Sequence, residues 1–285
     1  MYYLNFVDGK PILNIYKKII GKNKDGGEME YERKIGCLKI STKKPKDEDL
    51  VSKNDKKLQV IENKFERPSE EYRMQLSPYT DKEQNNRMVI LGPSGCGKST
   101  FACNYIKEYK KMNRKNDVYL FSRHNEDPSI DSAEPLRVCI DESEIVESKK
   151  MMEPVVESKM FEKSLVIFDD INSSESRVLT RFWHDLASDM SENGRKLHID
   201  IVFILHNTNG WLTRMIMSES THYVLFLNSG SKAMYTRILK QYLCIENKAT
   251  LEKLFRLPTR WIVFSNIAPL FIMTENQVQL LKDFE

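Results

Sequence analysis

Arg87-Met88-Val89-Ile90-Leu91-Gly92-Pro93-Ser94-Gly95-Cys96-Gly97-Lys98-Ser99-Thr100 decides the fold. Met88 to Leu91 is a short apolar run that suits a buried strand. Gly92, Gly97, Lys98 and Ser99 match Gly-x-x-x-x-Gly-Lys-Ser, and a helix is expected from about Lys98 to Met112. Glycine permits torsions that turn successive N–H groups inward, and the helix N-terminus adds partial positive charge. Gly92, Pro93, Ser94, Gly95, Cys96, Gly97, Lys98, Ser99 and Thr100 are therefore expected to hold the phosphates of a nucleoside triphosphate. Lys98 is expected to reach the β- and γ-phosphates, Ser99 to bind Mg2+, and Thr100 to lie close to the α-phosphate.

Leu165-Val166-Ile167-Phe168-Asp169-Asp170 is a second apolar strand, ending in two carboxylates. Downstream of a phosphate loop, a carboxylate at this place holds Mg2+ through water. Asp169 takes that role, and Asp170 would then polarise the attacking water as general base.

Outward from these strands the pattern alternates. Further strands are expected at Asp117–Ser122, Arg137–Ile140, Ile199–Leu205 and Tyr223–Leu227. Helices are expected near Glu175–Glu192, Gly210–Ser218, Lys232–Tyr242 and Ala249–Phe255. Strand-like pieces at Trp261–Phe264 and Leu270–Met273 close the chain. Apolar strands alternating with helices predict a mostly parallel sheet covered on both faces. The fold class is α/β: a P-loop NTPase of RecA/ASCE-like type with a small N-terminal β-rich extension. The expected division is an accessory region and linker over residues 1–75 and an ATPase domain over 76–285. Within the first part, Tyr2–Phe6 and Pro11–Ile20 read as strands joined by an Asp8-Gly9 hairpin turn. Lys22–Gly27 reads as a turn-rich loop, Gly36–Ile40 as a short strand, Lys43–Lys57 as a solvated loop and Ser69–Thr80 as a linker.

Among 285 residues the net charge is only +3, so the surface as a whole is no polycation. Any nucleic-acid contact must come from local patches or from several copies together. Lys107–Lys115 and Arg177–Arg181 are the candidate basic elements. The five cysteines, Cys37, Cys96, Cys103, Cys139 and Cys244, form no Cys-x-x-Cys pair. That argues against a disulfide framework or a zinc site and fits a reducing, intracellular compartment. No apolar run reaches membrane-spanning length, and the N-terminus lacks a signal-peptide pattern.

The acidic pair and its surroundings resemble the viral genome-packaging ATPases of the FtsK/HerA type, the poxvirus and giant-virus branch in particular. The resemblance covers roughly residues 65–275 and rests on order and spacing. Its parts are the glycine loop, Leu120-Phe121-Ser122-Arg123-His124-Asn125-Glu126-Asp127-Pro128, Leu165 to Asp170, Asn193-Gly194-Arg195, His206-Asn207 and Thr213-Arg214. It implies an ATP-driven ring that moves double-stranded DNA, without sequence preference, into a capsid. Capsid proteins at a packaging vertex would be partners, and the virion or host-cell cytoplasm the location. A polar side chain that senses the γ-phosphate maps to His206 or Asn207. Asn207 is preferred, because an amide both donates and accepts at any pH. An arginine supplied by a neighbouring subunit maps to Arg195 or Arg214, with Arg123 a weaker candidate. Here the acidic pair is Asp-Asp where many relatives have Asp-Glu, so Asp170 has a shorter reach.

No Leu-Ser-Gly-Gly-Gln signature and no Asn-Lys-x-Asp guanine reader occurs, which favours ATP and disfavours a transporter cassette or GTPase. The competing readings are an AAA-type helicase loader or replication ATPase, and a non-catalytic nucleotide-binding capsid-assembly factor.

Overall fold

The computed structural model describes residues 1–22, 28–78, 85–122, 124–151, 155–171, 176–208 and 211–284. Arg123, and the expected helix starts at Glu175 and Gly210, lie outside them. The chain divides into two compact units, Met1–Pro78 with Ile245–Glu285, and Tyr79–Cys244.

The first unit opens with β1 (Tyr3–Asn5), β2 (Lys10–Lys22), β3 (Glu28–Ser41), β4 (Val60–Ile61), β5 (Lys64–Glu66) and β6 (Tyr72–Leu76). Strands β1, β3, β2 and β6 form an antiparallel sheet in that order. Asp8-Gly9 is therefore not a hairpin turn. Both β1 and β2 pair with β3, so this loop steps across the end of a strand that arrives later in the chain. Asn5 holds the loop by accepting the N–H groups of Val7 and Asp8 at 2.8 and 2.7 Å. Gly9 is required there, because a Cβ would meet the Ile40 carbonyl oxygen at 2.1 Å. The expected linker after Ser69 contains β6, whose Tyr72, Met74 and Leu76 are buried. It is a structural strand because β2 offers it an open edge from Leu13 to Lys17.

The second unit contains β7 (Arg87–Leu91), α1 (Lys98–Met112), β8 (Val118–Ser122), α2 (Pro128–Asp131), β9 (Leu136–Val138) and α3 (Glu142–Met151). It continues with β10 (Leu165–Asp169), α4 (Arg177–Asn193), β11 (Asp200–Leu205), α5 (Trp211–Glu219), β12 (His222–Leu225) and α6 (Lys232–Leu243). Its strands run in the order β9-β8-β10-β11-β7-β12, every pair parallel. The expected mixed α/β fold with a large, mostly parallel sheet is what the chain adopts. Met88 to Leu91 and Leu165 to Phe168 are fully buried, which explains their unbroken apolar character.

An aromatic ladder runs across three strands in register. The Phe121 and Phe168 rings stack at 5.2 Å and Phe168 and Phe203 at 5.3 Å, with Trp183 of α4 5.2 Å from Phe121. A one-residue slip would turn each ring to the opposite face. The ladder thus locks the register of the next residues along, where Asp169 stands opposite Ser122. Helix α1 buries Phe101, Ala102, Tyr105, Ile106 and Tyr109 at helical spacing.

The remainder of the first unit is α7 (Lys248–Arg256), β13 (Ile262–Ser265), β14 (Phe271–Met273), β15 (Gln277–Leu280) and α8 (Leu281–Phe284). Strands β4, β5, β15, β14 and β13 pair antiparallel in that order, with Val278 opposite Phe65. The closing strands thus group with the N-terminal residues through β5. No helix among the described residues is long and apolar enough to cross a membrane.

Candidate active site

In a parallel sheet the strands' carboxyl ends face one edge, and the loops there converge on a crevice. Strand order decides which loops meet. Here β11 lies between β7 and β10, so the end of β11 comes between the glycine loop and the acidic pair. A cavity of about 320 Å³ opens at this edge, lined by Ser94, Gly95, Gly97, Lys98, Ser99, Thr100, Asp169, Asp170 and His206 among others.

The loop between β7 and α1 has the torsions its glycines allow. Gly95 and Gly97 have φ of +75° and +109°, a region that disfavours any side chain. Gly92 is packed tightly: a Cβ would come 2.6 Å from the Cys96 sulfur and 3.1 Å from Phe226 Cβ. Pro93 contributes its carbonyl oxygen, which with that of Gly92 accepts from the Lys98 ammonium, both at 2.9 Å. Lys98 Nζ also lies 3.4 Å from His206 Nδ1. Lys98 is buried, and burial pulls its ammonium below the usual lysine range; the charges of Cys96, Asp169 and Asp170 oppose this.

Asp169 is 7% exposed. Burial pushes its carboxyl up, the hydrogen bond from Ser122 pulls it down, and Asp170 and Asp127 push it up again. Asp170 sits at φ +53°, a left-handed conformation that an aspartate adopts more readily than most residues. Ser99 and Asp169 bring a hydroxyl and a carboxylate to one cavity, a hard-oxygen set of the kind Mg2+ takes when it keeps most of its waters.

His206, rather than Asn207, lines the cavity; both are exposed, one residue apart past the end of β11. Neither Arg195 nor Arg214 lines it. Arg214 is in the first turn of α5, at the same edge of the sheet as the cavity, and is exposed. Arg195 is exposed in the turn that precedes β11, at the opposite edge. The six residues of β11 separate the two edges by roughly 17 Å. Of the basic elements, Lys110 donates to the carbonyl oxygens of Ala133 and Glu134 at 2.8 and 2.6 Å, and Lys107 lies 3.3 Å from Ser132 Oγ. These two lysines close the end of α2. Arg177 and Arg181 start α4, where Arg181 is exposed and 3.9 Å from Asp185.

His124 and Asp127 from the loop after β8, and Ser129 of α2, also line the cavity. The resemblance pointed to His124 and Asp127 only as part of the stretch Leu120–Pro128, and nothing in the sequence pointed to Ser129. Arg237 of α6 donates to Thr208 Oγ1 at 2.6 Å and so holds the residues following His206. None of the five cysteines is in a disulfide.

No family model matches the chain. Among solved structures it is similar to the genome packaging NTPase B204 from Sulfolobus turreted icosahedral virus 2 in complex with ATP-gammaS. The identity is 12% and the TM-score 0.43, covering 68% of this chain and 96% of that one. It is also similar to EssC (ATPases 2 and 3) from Geobacillus thermodenitrificans, at 14% identity and a TM-score of 0.38, covering 76% of this chain and 44% of that one. Over 251 residues it is 30% identical to the uncharacterized protein V3 of Sputnik virophage, covering 87% of this chain and 94% of that protein. With that identity sustained over nearly the whole of both chains, this protein belongs to the family of Sputnik virophage protein V3.

Proposed function

We propose that the chain binds and hydrolyses ATP, and that hydrolysis drives double-stranded DNA into a viral capsid. The observation that carries the nucleotide reading is the convergence of Lys98, Ser99, Asp169, Asp170 and His206 on one cavity at the carboxyl edge of the parallel sheet. Phosphates entering the loop replace the Gly92 and Pro93 carbonyls as partners of Lys98. The N–H groups at the start of α1 face the same charge. Ser99 and Asp169 hold Mg2+, which when bound neutralises charge on the phosphate oxygens. Asp170 accepts the proton of the attacking water, and His206 donates to the γ-phosphate.

DNA as the load, a ring of like subunits and capsid proteins as partners rest on the resemblance carried by residues 65–275. In such a ring the site is completed from a neighbour. Arg214 is the better placed to be presented beside a neighbour's nucleotide, because it already lies at the nucleotide edge of its own sheet and is exposed. With no broad free basic face in α1, DNA contact is spread over subunits and reads the backbone rather than the bases.

Turnover tests the reading. Purified protein should hydrolyse ATP faster when duplex DNA of any sequence is added, and Lys98→Ala should lower that rate by about two to three powers of ten. Absence of Lys98-dependent turnover would leave a non-catalytic nucleotide-binding assembly factor. Stimulation by a replicative helicase alone would mark a loader.

A further inference from the structure

We propose that Ser122 is the positioning residue that orients the Asp169 carboxylate toward the divalent cation, an inference that rests on the nucleotide reading above. Ser122 ends β8, directly opposite Asp169 at the end of β10. Its hydroxyl donates to Asp169 Oδ2 at 3.0 Å. A serine hydroxyl has one proton and two lone pairs, so the direction of that bond depends on what else the oxygen meets. Here the backbone N–H of His124 donates to Ser122 Oγ at 3.2 Å. An N–H can only donate, so one serine lone pair accepts there, and an ionised carboxylate can only accept, so the serine proton goes to Asp169. That leaves the other carboxylate oxygen, Oδ1, for the water shell of the cation.

The arrangement is anchored one step further out. Arg137 of β9 donates to the His124 carbonyl oxygen and to Asp131 Oδ1, both at 2.5 Å. The chain Arg137, His124, Ser122, Asp169 thus runs across three neighbouring strands, from the edge of the sheet to the candidate metal carboxylate. Asp169 is buried except where it lines the cavity, which limits the partners its carboxylate can turn to. Outer partners of this kind fix the geometry of the residue that meets the metal.

Binding, not turnover, is the decisive readout. Mn2+ is titrated into protein saturated with ATPγS, and free Mn2+ is followed by electron paramagnetic resonance. Ser122→Ala should weaken Mn2+ about tenfold or more, the range found when outer-shell partners are removed. Ser122→Thr keeps the hydroxyl and should stay close to wild type. Ser122→Cys, nearly the same size but a poor donor, should repeat the loss, which separates hydrogen bonding from folding. ATPγS affinity measured in EDTA should be equal in all four proteins. The inference is overturned if Ser122→Ala and Ser122→Cys bind Mn2+ like wild type while Asp169→Asn does not. A wild type that binds no ATPγS, or binds it no better than Lys98→Ala, overturns the nucleotide reading itself.

Discussion

The ammonium of Lys98 lies 3.4 Å from Nδ1 of His206, although 108 residues separate them in the chain. Strand order makes the contact: β11 ends between the glycine loop and the acidic pair. His206→Ala should therefore slow ATP hydrolysis more than Asn207→Ala. Loss of one hydrogen bond to a charged group costs about 1.5–3 kcal/mol, or roughly 10–100-fold in rate. Steady-state kinetics on both variants check this; a larger effect from Asn207 would restore the amide as the sensing side chain.

Lys98→Ala should lower DNA-stimulated turnover by about two to three powers of ten, the scale for removing one preorganised donor from a developing charge. Lys98 is held by two carbonyls of its own loop and by the exposed His206, outside the packed core, so the melting temperature should change little. Calorimetry beside the rate assay tests both halves.

Asp170→Asn should cut turnover by about 10²–10⁴-fold while leaving ATPγS binding near wild type, as expected for loss of a general base. Asparagine tolerates the left-handed backbone at φ +53°, so this change removes the charge without adding strain. Weakened nucleotide binding of the same size would instead make Asp170 a binding residue.

Asp200 gives a pH-dependent stability. Its carboxyl is buried at the start of β11, where it accepts the N–H of Asn86 at 2.6 Å, and burial pushes it up to about 7. The folded state thus holds a proton that the unfolded chain releases near pH 4. Stability from this group is complete below about pH 4 and is lost as pH rises through 7. Between pH 5 and 7.5 the loss should be on the order of 2–3 kcal/mol, and Asp200→Asn should remove it. Urea midpoints at the two pH values provide the comparison; equal slopes for both proteins would count against it.

Phe168→Ala should destabilise the protein by about 3–5 kcal/mol, since it opens the centre of the stacked Phe121, Phe168 and Phe203 series. Chemical denaturation measures it. If the ladder holds the register of Asp169, even the folded fraction of Phe168→Ala should bind Mn2+ less well than wild type.

Local chemistry is legible in this chain wherever one segment carries its own pattern. Met88 to Leu91, the glycines at 92, 95 and 97, and α1 from Lys98 to Met112 stand where the sequence places them, because strand burial, glycine torsions and helical spacing are properties of consecutive residues. The Asp8-Gly9 loop and β6 were misread for the complementary reason. A two-residue turn looks the same whether its strands pair with each other or with a third, and Tyr72 to Leu76 becomes a strand only because β2 leaves an edge for it. The site follows the same division. The glycine loop and the carboxylate pair are written in the sequence, whereas the meeting of Lys98 with His206 and of Asp169 with Ser122 is decided by strand order and register. Those depend on long-range pairing energy summed over the whole sheet, which no single stretch of residues contains.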